Sequence, residues 1–188
     1  IVIHPGAIAL SRRYPPERLQ RCRSACAAVW NPSHFTGTTP EQELVTSICQ
    51  DMNAASHSLV GCLSLGELTA LLDLAPLLIS NNTGPVHIAA AVGTPVVDLY
   101  ALTNPQHTPW EVPNRVLFHD VPCRICYKSI CPEGHYHCLR LVEPETVVEA
   151  ALELLQQGQH GYCVGATVAI ATSPKLLNTS SQSLLKVV

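Results

Sequence analysis

The sequence carries little charge. Only 13% of its 188 residues are Asp, Glu, Lys or Arg, against about 25% in an ordinary soluble domain. The basic side is short too: Lys and Arg total 11, Asp and Glu 14, for a formal charge of −3. A chain without a basic excess is a poor nonspecific binder of polyphosphates, so no nucleic-acid partner is expected. Disorder is excluded, because 47% of the residues are apolar, enough to build a core. A membrane-spanning run is lacking as well. The longest uncharged stretch, between Asp73 and Asp98, is broken by Ser80-Asn81-Asn82-Thr83-Gly84-Pro85. The chain opens Ile1-Val2-Ile3-His4, with neither Met nor a charged segment ahead of an apolar one. No secretory leader is expected, and the sequence reads as the middle of a larger protein.

Cysteine, by contrast, is plentiful. There are nine, and four of them crowd between Cys123 and Cys138. A chain of this length can bury a core without disulfide staples. The crowding therefore points to thiols kept reduced in a cytosol, and to a metal.

Apolar runs and helix-start signals alternate along residues 1–157. Ile1-Val2-Ile3, 33–36, 58–60, Leu77-Leu78-Ile79, 95–100 and 115–119 read as strands, apolar throughout. Between them, Pro15-Pro16-Glu17 opens a helix with Leu19, Cys22, Cys26 and Val29 on one stripe, and Pro40-Glu41 opens another with Leu44, Ile48 and Met52 inward. Ser64-Leu65-Gly66-Glu67 is a capping box ahead of Leu68, Leu71 and Leu72. A helix from Pro85 ends at Gly93, and Pro144-Glu145 starts the last, with Val147, Val148, Ala151 and Leu155 facing in. This alternation predicts a Rossmann-like α/β domain, a parallel sheet covered by helices on both faces. The loops at 4–13, 37–41, 80–85 and 101–110 all follow strands and should meet at one edge, where such sheets bind ligands. Residues 158–188 have no clear period and form a tail to which no role is assigned; 162–170 could be a strand.

Most of the chemistry lies in 80–87. An apolar strand runs into a helix with Pro85 at its first position, Gly84 capping it. The amides of Gly84, Val86 and His87 then point out of the helix's positive end, which suits an anion. Gly84 allows close approach, and Thr83 and His87 add a hydroxyl and an imidazole. Spacing alone fits a diphosphate cradle without a Walker lysine and equally a well-capped helix.

The run Leu78-Ile79-Ser80-Asn81-Asn82-Thr83-Gly84-Pro85-Val86-His87-Ile88-Ala89-Ala90-Ala91-Val92-Gly93-Thr94-Pro95-Val96-Val97 resembles the signature of glycosyltransferase family 9, the ADP-heptose:lipopolysaccharide heptosyltransferases. His4-Pro5-Gly6-Ala7 with Arg12-Arg13-Tyr14-Pro15, the segments 37–44 and 61–72, and Leu102-Thr103-Asn104-Pro105 with Trp110 resemble further parts of its C-terminal half. The resemblance covers residues 1–156 and implies the donor-binding domain of a two-domain GT-B enzyme. It implies that Arg12 faces the donor diphosphate, that Glu41 lies near the donor ribose, and that Thr83, Gly84 and His87 form the diphosphate loop. Asn82 stands where Asp is commoner; an amide is no base, so Asn82 is read as orienting the loop. No catalytic residue is expected in this chain. The base and most of the acceptor site would come from an N-terminal domain of the same protein.

The implied activity is transfer, with inversion, of a sugar from a nucleotide-sugar donor such as ADP-heptose to a glycan or lipid-linked acceptor. It would occur in the cytoplasm or at the inner face of the cytoplasmic membrane. Another GT-B enzyme, an epimerase or a hexosyltransferase, is the alternative; a metal-dependent scaffold with an idle donor site is the third. No cofactor is expected at the active site. Cys123, Cys126, Cys131 and Cys138, within the loop 122–138, have the spacing of a tetrahedral structural site for zinc or iron, the alternative being four reduced thiols packed in a loop or an adventitious disulfide. His135 or His137 could replace one thiolate. Cys22, Cys26, Cys49, Cys62 and Cys163 read as small apolar residues.

Overall fold

The computed structural model describes residues 1–25, 32–49 and 56–161. Expectations resting on Cys26, Val29, Met52, Cys163 and 162–170 lie outside these residues.

Among the described residues six strands form one sheet: β1 (Val2–His4), β2 (Ser33–Phe35), β3 (Ser56–Ser58), β4 (Leu78–Asn81), β5 (Val96–Leu99) and β6 (Asn114–Leu117). Their order is β3-β2-β1-β4-β5-β6 and every neighbouring pair is parallel. The order reverses between β1 and β4, and the carboxyl ends of those two strands frame the crevice where such folds hold ligands.

The helices are α1 (Pro16–Ala25), α2 (Gln42–Cys49), α3 (Leu65–Leu74), α4 (Gly84–Val92), the short α5 (His137–Arg140) and α6 (Pro144–Gly161). In α6 the residues Val147, Ala150, Ala151 and Leu154 are buried, spaced three and four apart, so one stripe meets the sheet. The helix continues to Gly161, four residues past the point where the sequence pattern changes. Ser64 caps α3 as expected: its hydroxyl accepts the Glu67 amide at 3.3 Å, and Glu67 takes the Ser64 amide at 2.8 Å. Gly93 ends α4 with φ +84°, the left-handed conformation that favours glycine.

Successive strand residues face opposite layers. Ile3, Ile79, Val97 and Leu99 pack with Leu19, Cys22 and Leu154 on one side. Val2, Leu78 and Val96 pack with Leu72, Val86 and Ala89 on the other. The central strands β4 and β5 are buried at every position, with Leu78-Ile79 and Val96-Val97 as their apolar part and Ser80, Asn81 and Asp98 as buried polar residues toward their carboxyl ends.

Two expectations need correction. The third strand lies at 56–58, not 58–60. The strands are also not all apolar: β2 is Ser-His-Phe and β3 is Ser-His-Ser. Among the described residues β3 is an edge strand with one neighbour, so an apolar pattern is not demanded there, and polar residues discourage pairing with another chain. No described helix is long and apolar enough to cross a membrane.

Candidate functional site

The turn from β4 into α4 sits at the centre of the carboxyl edge. Thr83, not Gly84, is the capping residue: its backbone is extended (φ −144°, ψ −174°), and the helix begins at Gly84 with Pro85 second. The Thr83 carbonyl accepts the Val86 amide at 3.1 Å. The Thr83 hydroxyl donates back to the Asn81 carbonyl at 3.2 Å rather than covering the helix end. The amide end of α4 is thus left without a side-chain cap, facing outward with its partial positive charge. Gly84 is exposed, and a Cβ on it would meet nothing within 4 Å. The space in front of the helix is open.

Asn81 fastens the loop after β1 to this turn. Its side-chain amide donates to the Pro5 carbonyl at 2.6 Å, and its oxygen accepts the Tyr14 amide at 2.9 Å. Both ends of the loop are therefore held by one buried side chain. Inside the loop, Leu10–Arg12 forms a 3₁₀ turn, and Arg13 Nε closes on the Ala7 carbonyl at 2.6 Å. The Arg12 side chain makes no hydrogen bond or ion pair with the described residues, and its Nε is buried without a partner. The other described arginines are engaged: Arg13 with Ala7, Arg18 with Glu143, Arg21 with Glu145, Arg23 with Ser33, Arg115 with Glu153, Arg124 with Asp120, and Arg140 over the Tyr136 ring. Arg12 lies close enough to Tyr100, at the end of β5, to oppose the upward shift that burial gives its phenol.

Glu41 reaches the same edge from β2. Thr38 and Glu41 form a capping box that the sequence reading missed, although Thr-x-x-Glu is its signature. One Glu41 oxygen accepts from the Thr38 amide at 2.7 Å and from the Thr38 hydroxyl at 2.9 Å. The turn is 3₁₀ over Thr39–Glu41 and leads into α2, rather than an α-helix starting at Pro40. The carboxylate lies directly over Gly6, where a Cβ would fall 1.8 Å from Glu41 Oε1. His4, at the end of β1, contacts the Thr36 hydroxyl at 3.0 Å. Burial lowers the His4 pKa, and Glu41 opposes that shift.

Asn82 points inward. Its amide nitrogen donates to Asp98 Oδ2 at 2.8 Å and to the His107 carbonyl at 2.7 Å, tying the α4 turn to β5 and to the 3₁₀ turn Pro105–His107. Asp98 is fully buried, and its other oxygen has no partner among the described residues. Burial pushes its carboxyl up to about 7, against the Asn82 hydrogen bond. Asp98 was not among the expected site residues, although it is the lone charge in the apolar run 95–100. His87 is exposed and lines an open cleft of about 490 Å³ with Gln106, Thr108, Trp110 and Glu111.

The seven described cysteines form no disulfide with one another. Cys22 is buried and packs as expected, but Cys62 is exposed. Cys123, Cys126, Cys131, Cys138 and His135 line one small cavity of about 20 Å³. Cys123 Sγ lies 3.7 Å from His135 Nε2, and Cys131 Sγ 4.0 Å from His135 Nδ1. Burial raises the Cys138 thiol pKa, and the three other thiols are near enough to add to it. Among the described residues, no group of three or more His, Cys, Asp or Glu is arranged to hold a metal ion.

A doubly wound parallel sheet with an uncapped helix start at its switch point is the architecture of the Rossmann-like halves of GT-B enzymes. The family profile described as "Glycosyltransferase family 9 (heptosyltransferase)" matches residues 1–137, and the chain belongs to that family. It is 31% identical over 127 residues to lipooligosaccharide heptosyltransferase 2 of Campylobacter jejuni, a match covering 65% of this chain and 40% of that protein. The solved glycosyl transferase family 9 protein of Veillonella parvula superposes with a TM-score of 0.73 at 29% identity, over 84% of this chain and 46% of that one. The dodecameric iron-containing heptosyltransferase TibC, solved with ADP-D-beta-D-heptose, shares the fold at 16% identity, with a TM-score of 0.60 over 84% of this chain and 45% of that one. TibC comes from enterotoxigenic E. coli. The chain thus spans less than half the length of each.

Proposed function

We propose that this chain is the donor-binding domain of a heptosyltransferase-type enzyme, holding ADP-heptose or a close analogue for transfer to a lipopolysaccharide-type acceptor. The observation that carries this reading is the open amide end of α4 at the switch point, with Gly84 at its tip and unpartnered Arg12 on the facing loop. In an inverting displacement the diphosphate leaves with growing negative charge. A helix N-terminus, a guanidinium fork and the His87 imidazole are donors suited to that charge. Glu41, over Gly6, would accept from ribose hydroxyls. The general base and the acceptor site would belong to an N-terminal domain, and the enzyme would work in the cytoplasm or at the inner membrane face.

Calorimetry with ADP tests the reading. The chain should bind ADP, and Gly84→Val should bind it at least tenfold more weakly, about 1.4 kcal/mol. The added side chain projects into open space, so the fold should be kept while phosphate approach is blocked. Equal affinity in both proteins would remove α4 from the site.

We also propose that Cys123, Cys126, Cys131 and Cys138 hold one structural zinc or iron. Four soft donors share a cavity of about 20 Å³, and TibC, described as iron-containing, shares the fold. The thiols would have to draw together and lose their protons on binding, so acid should release the ion. Protein purified without chelator should contain about one equivalent of zinc or iron by elemental analysis, most of it lost in Cys126→Ser. Folded, metal-free protein with all four thiols open to titration would exclude the site.

A further inference from the structure

The thiol-rich loop touches the Arg12 turn directly. Ser11 is buried, its amide donates to the Ser129 carbonyl at 3.0 Å, and its hydroxyl donates to the Lys128 carbonyl. Both acceptors lie between Cys126 and Cys131. The turn itself is a single 3₁₀ unit, closed by Arg12 N on the Ala9 carbonyl at 2.9 Å and Arg13 N on the Leu10 carbonyl at 3.2 Å. So short a turn has little stiffness of its own. Fixing Ser11 through two bonds fixes how the turn is rotated, and with it the direction in which Arg12 leaves the backbone.

Asn81 holds the ends of the loop and Arg13 ties back to Ala7 within it; the Ser11 bonds are what join the turn itself to the thiol-rich loop. The Arg12 side chain has no hydrogen bond or ion pair among the described residues, whereas neighbouring Arg13 is held by the Ala7 carbonyl. The half-buried guanidinium is directed by its backbone and by packing, with no hydrogen bond among the described residues to fix it.

We propose that Ser11 is a positioning residue: by gripping the carbonyls of Lys128 and Ser129 it presents Arg12 to the terminal phosphate of the bound diphosphate, making the cysteine-rich loop a supporting part of the donor site. This rests on the donor-binding reading above. Ser11 touches no ligand in this scheme; it acts through Arg12. The prediction is therefore about discrimination between nucleotides, not about binding in general.

The test is calorimetry with ADP and AMP on the whole chain, with melting curves alongside. The wild type should prefer ADP, and Arg12→Ala should lose most of that preference. Ser11→Ala should cut the ADP-to-AMP affinity ratio threefold to tenfold, keep AMP affinity within twofold, and melt close to the wild type. In the Arg12→Ala background, Ser11→Ala should change the ratio no further, because its effect runs through that side chain. An unchanged ratio in Ser11→Ala overturns the proposal, as does an equal loss of ADP and AMP, or the same loss with and without Arg12. If the wild type binds neither nucleotide, or Arg12→Ala keeps the full preference, the donor reading itself falls and this inference with it.

Discussion

Asp98→Asn should make the domain more stable at pH 8 and leave it nearly unchanged at pH 4. Asp98 is fully buried with one oxygen unpartnered, and its carboxyl is pushed from 3.8 to about 7. An acid whose folded pKa lies above its unfolded one holds its proton longer in the native state. The stability contributed by the protonated carboxyl is full below about pH 4, shrinks as pH rises toward 7, and is gone above it. A rise of that size corresponds to about 4 kcal/mol, an upper bound for the penalty of the buried anion. An asparagine keeps the shape, lets its oxygen accept from Asn82, and carries no charge. At pH 8 a gain of about 2–4 kcal/mol is expected, or roughly 5–10 °C in melting temperature. Melting curves of both proteins between pH 4 and 8 decide it. The wild type should lose stability relative to the variant over that interval; parallel curves would mean that Asp98 does not titrate there.

Gly6→Ala should act in the opposite direction. The Gly6 backbone is not among the positive-φ glycines, so its requirement is for space rather than for a left-handed conformation. A Cβ would stand 1.8 Å from Glu41 Oε1, 2.2 Å from Cδ and 2.6 Å from Oε2. The whole carboxylate has to leave, and it gives up both Thr38 hydrogen bonds. Losing a capping interaction costs about 0.5–2 kcal/mol, and crowding adds about 1 kcal/mol or more. A melting temperature lower by roughly 5–8 °C is expected. Glu41→Ala in the Gly6→Ala background should recover part of that loss, since it removes the clash. A Gly6→Ala protein that melts with the wild type would show that Glu41 does not rest on Gly6.

The sheet's centre was legible in the sequence. Val2-Ile3, Leu78-Ile79 and Val96-Val97 are covered from both sides, so their stretches of the strands are apolar at successive positions. The α3 capping box and the α6 stripe were legible for the same reason: each is a local pattern with a local cause. The edge strand β3 was not, because Ser56-His57-Ser58 carries no period, and the apolar Val60 draws the expected strand two residues too far along. At the site, motif spacing and family resemblance pointed to Arg12, Glu41, Asn82, Thr83, Gly84 and His87. Their mutual placement was invisible. That Glu41 lies on Gly6, Asn82 on Asp98 and Ser11 on the thiol loop depends on long-range chain return. The four cysteines could be counted from the sequence, but not the cavity they share.

The strand order also constrains when each edge of the sheet can be completed during synthesis. β1 pairs with β2 on one side and with β4 on the other, so Val2 waits for Leu78 before its second edge is closed. During synthesis the half-sheet β3-β2-β1 can assemble first, leaving β1 as an open, strongly apolar rim until residue 81 has left the ribosome. Such non-local pairing is slow, and an unpaired rim of this kind invites association with other chains. Asn81 ends the wait: the residue that completes β4 also ties down Pro5 and Tyr14. The β1–β4 pairing and the ties that shape the crevice therefore depend on the same segment, and a nascent chain that has not reached residue 81 has neither.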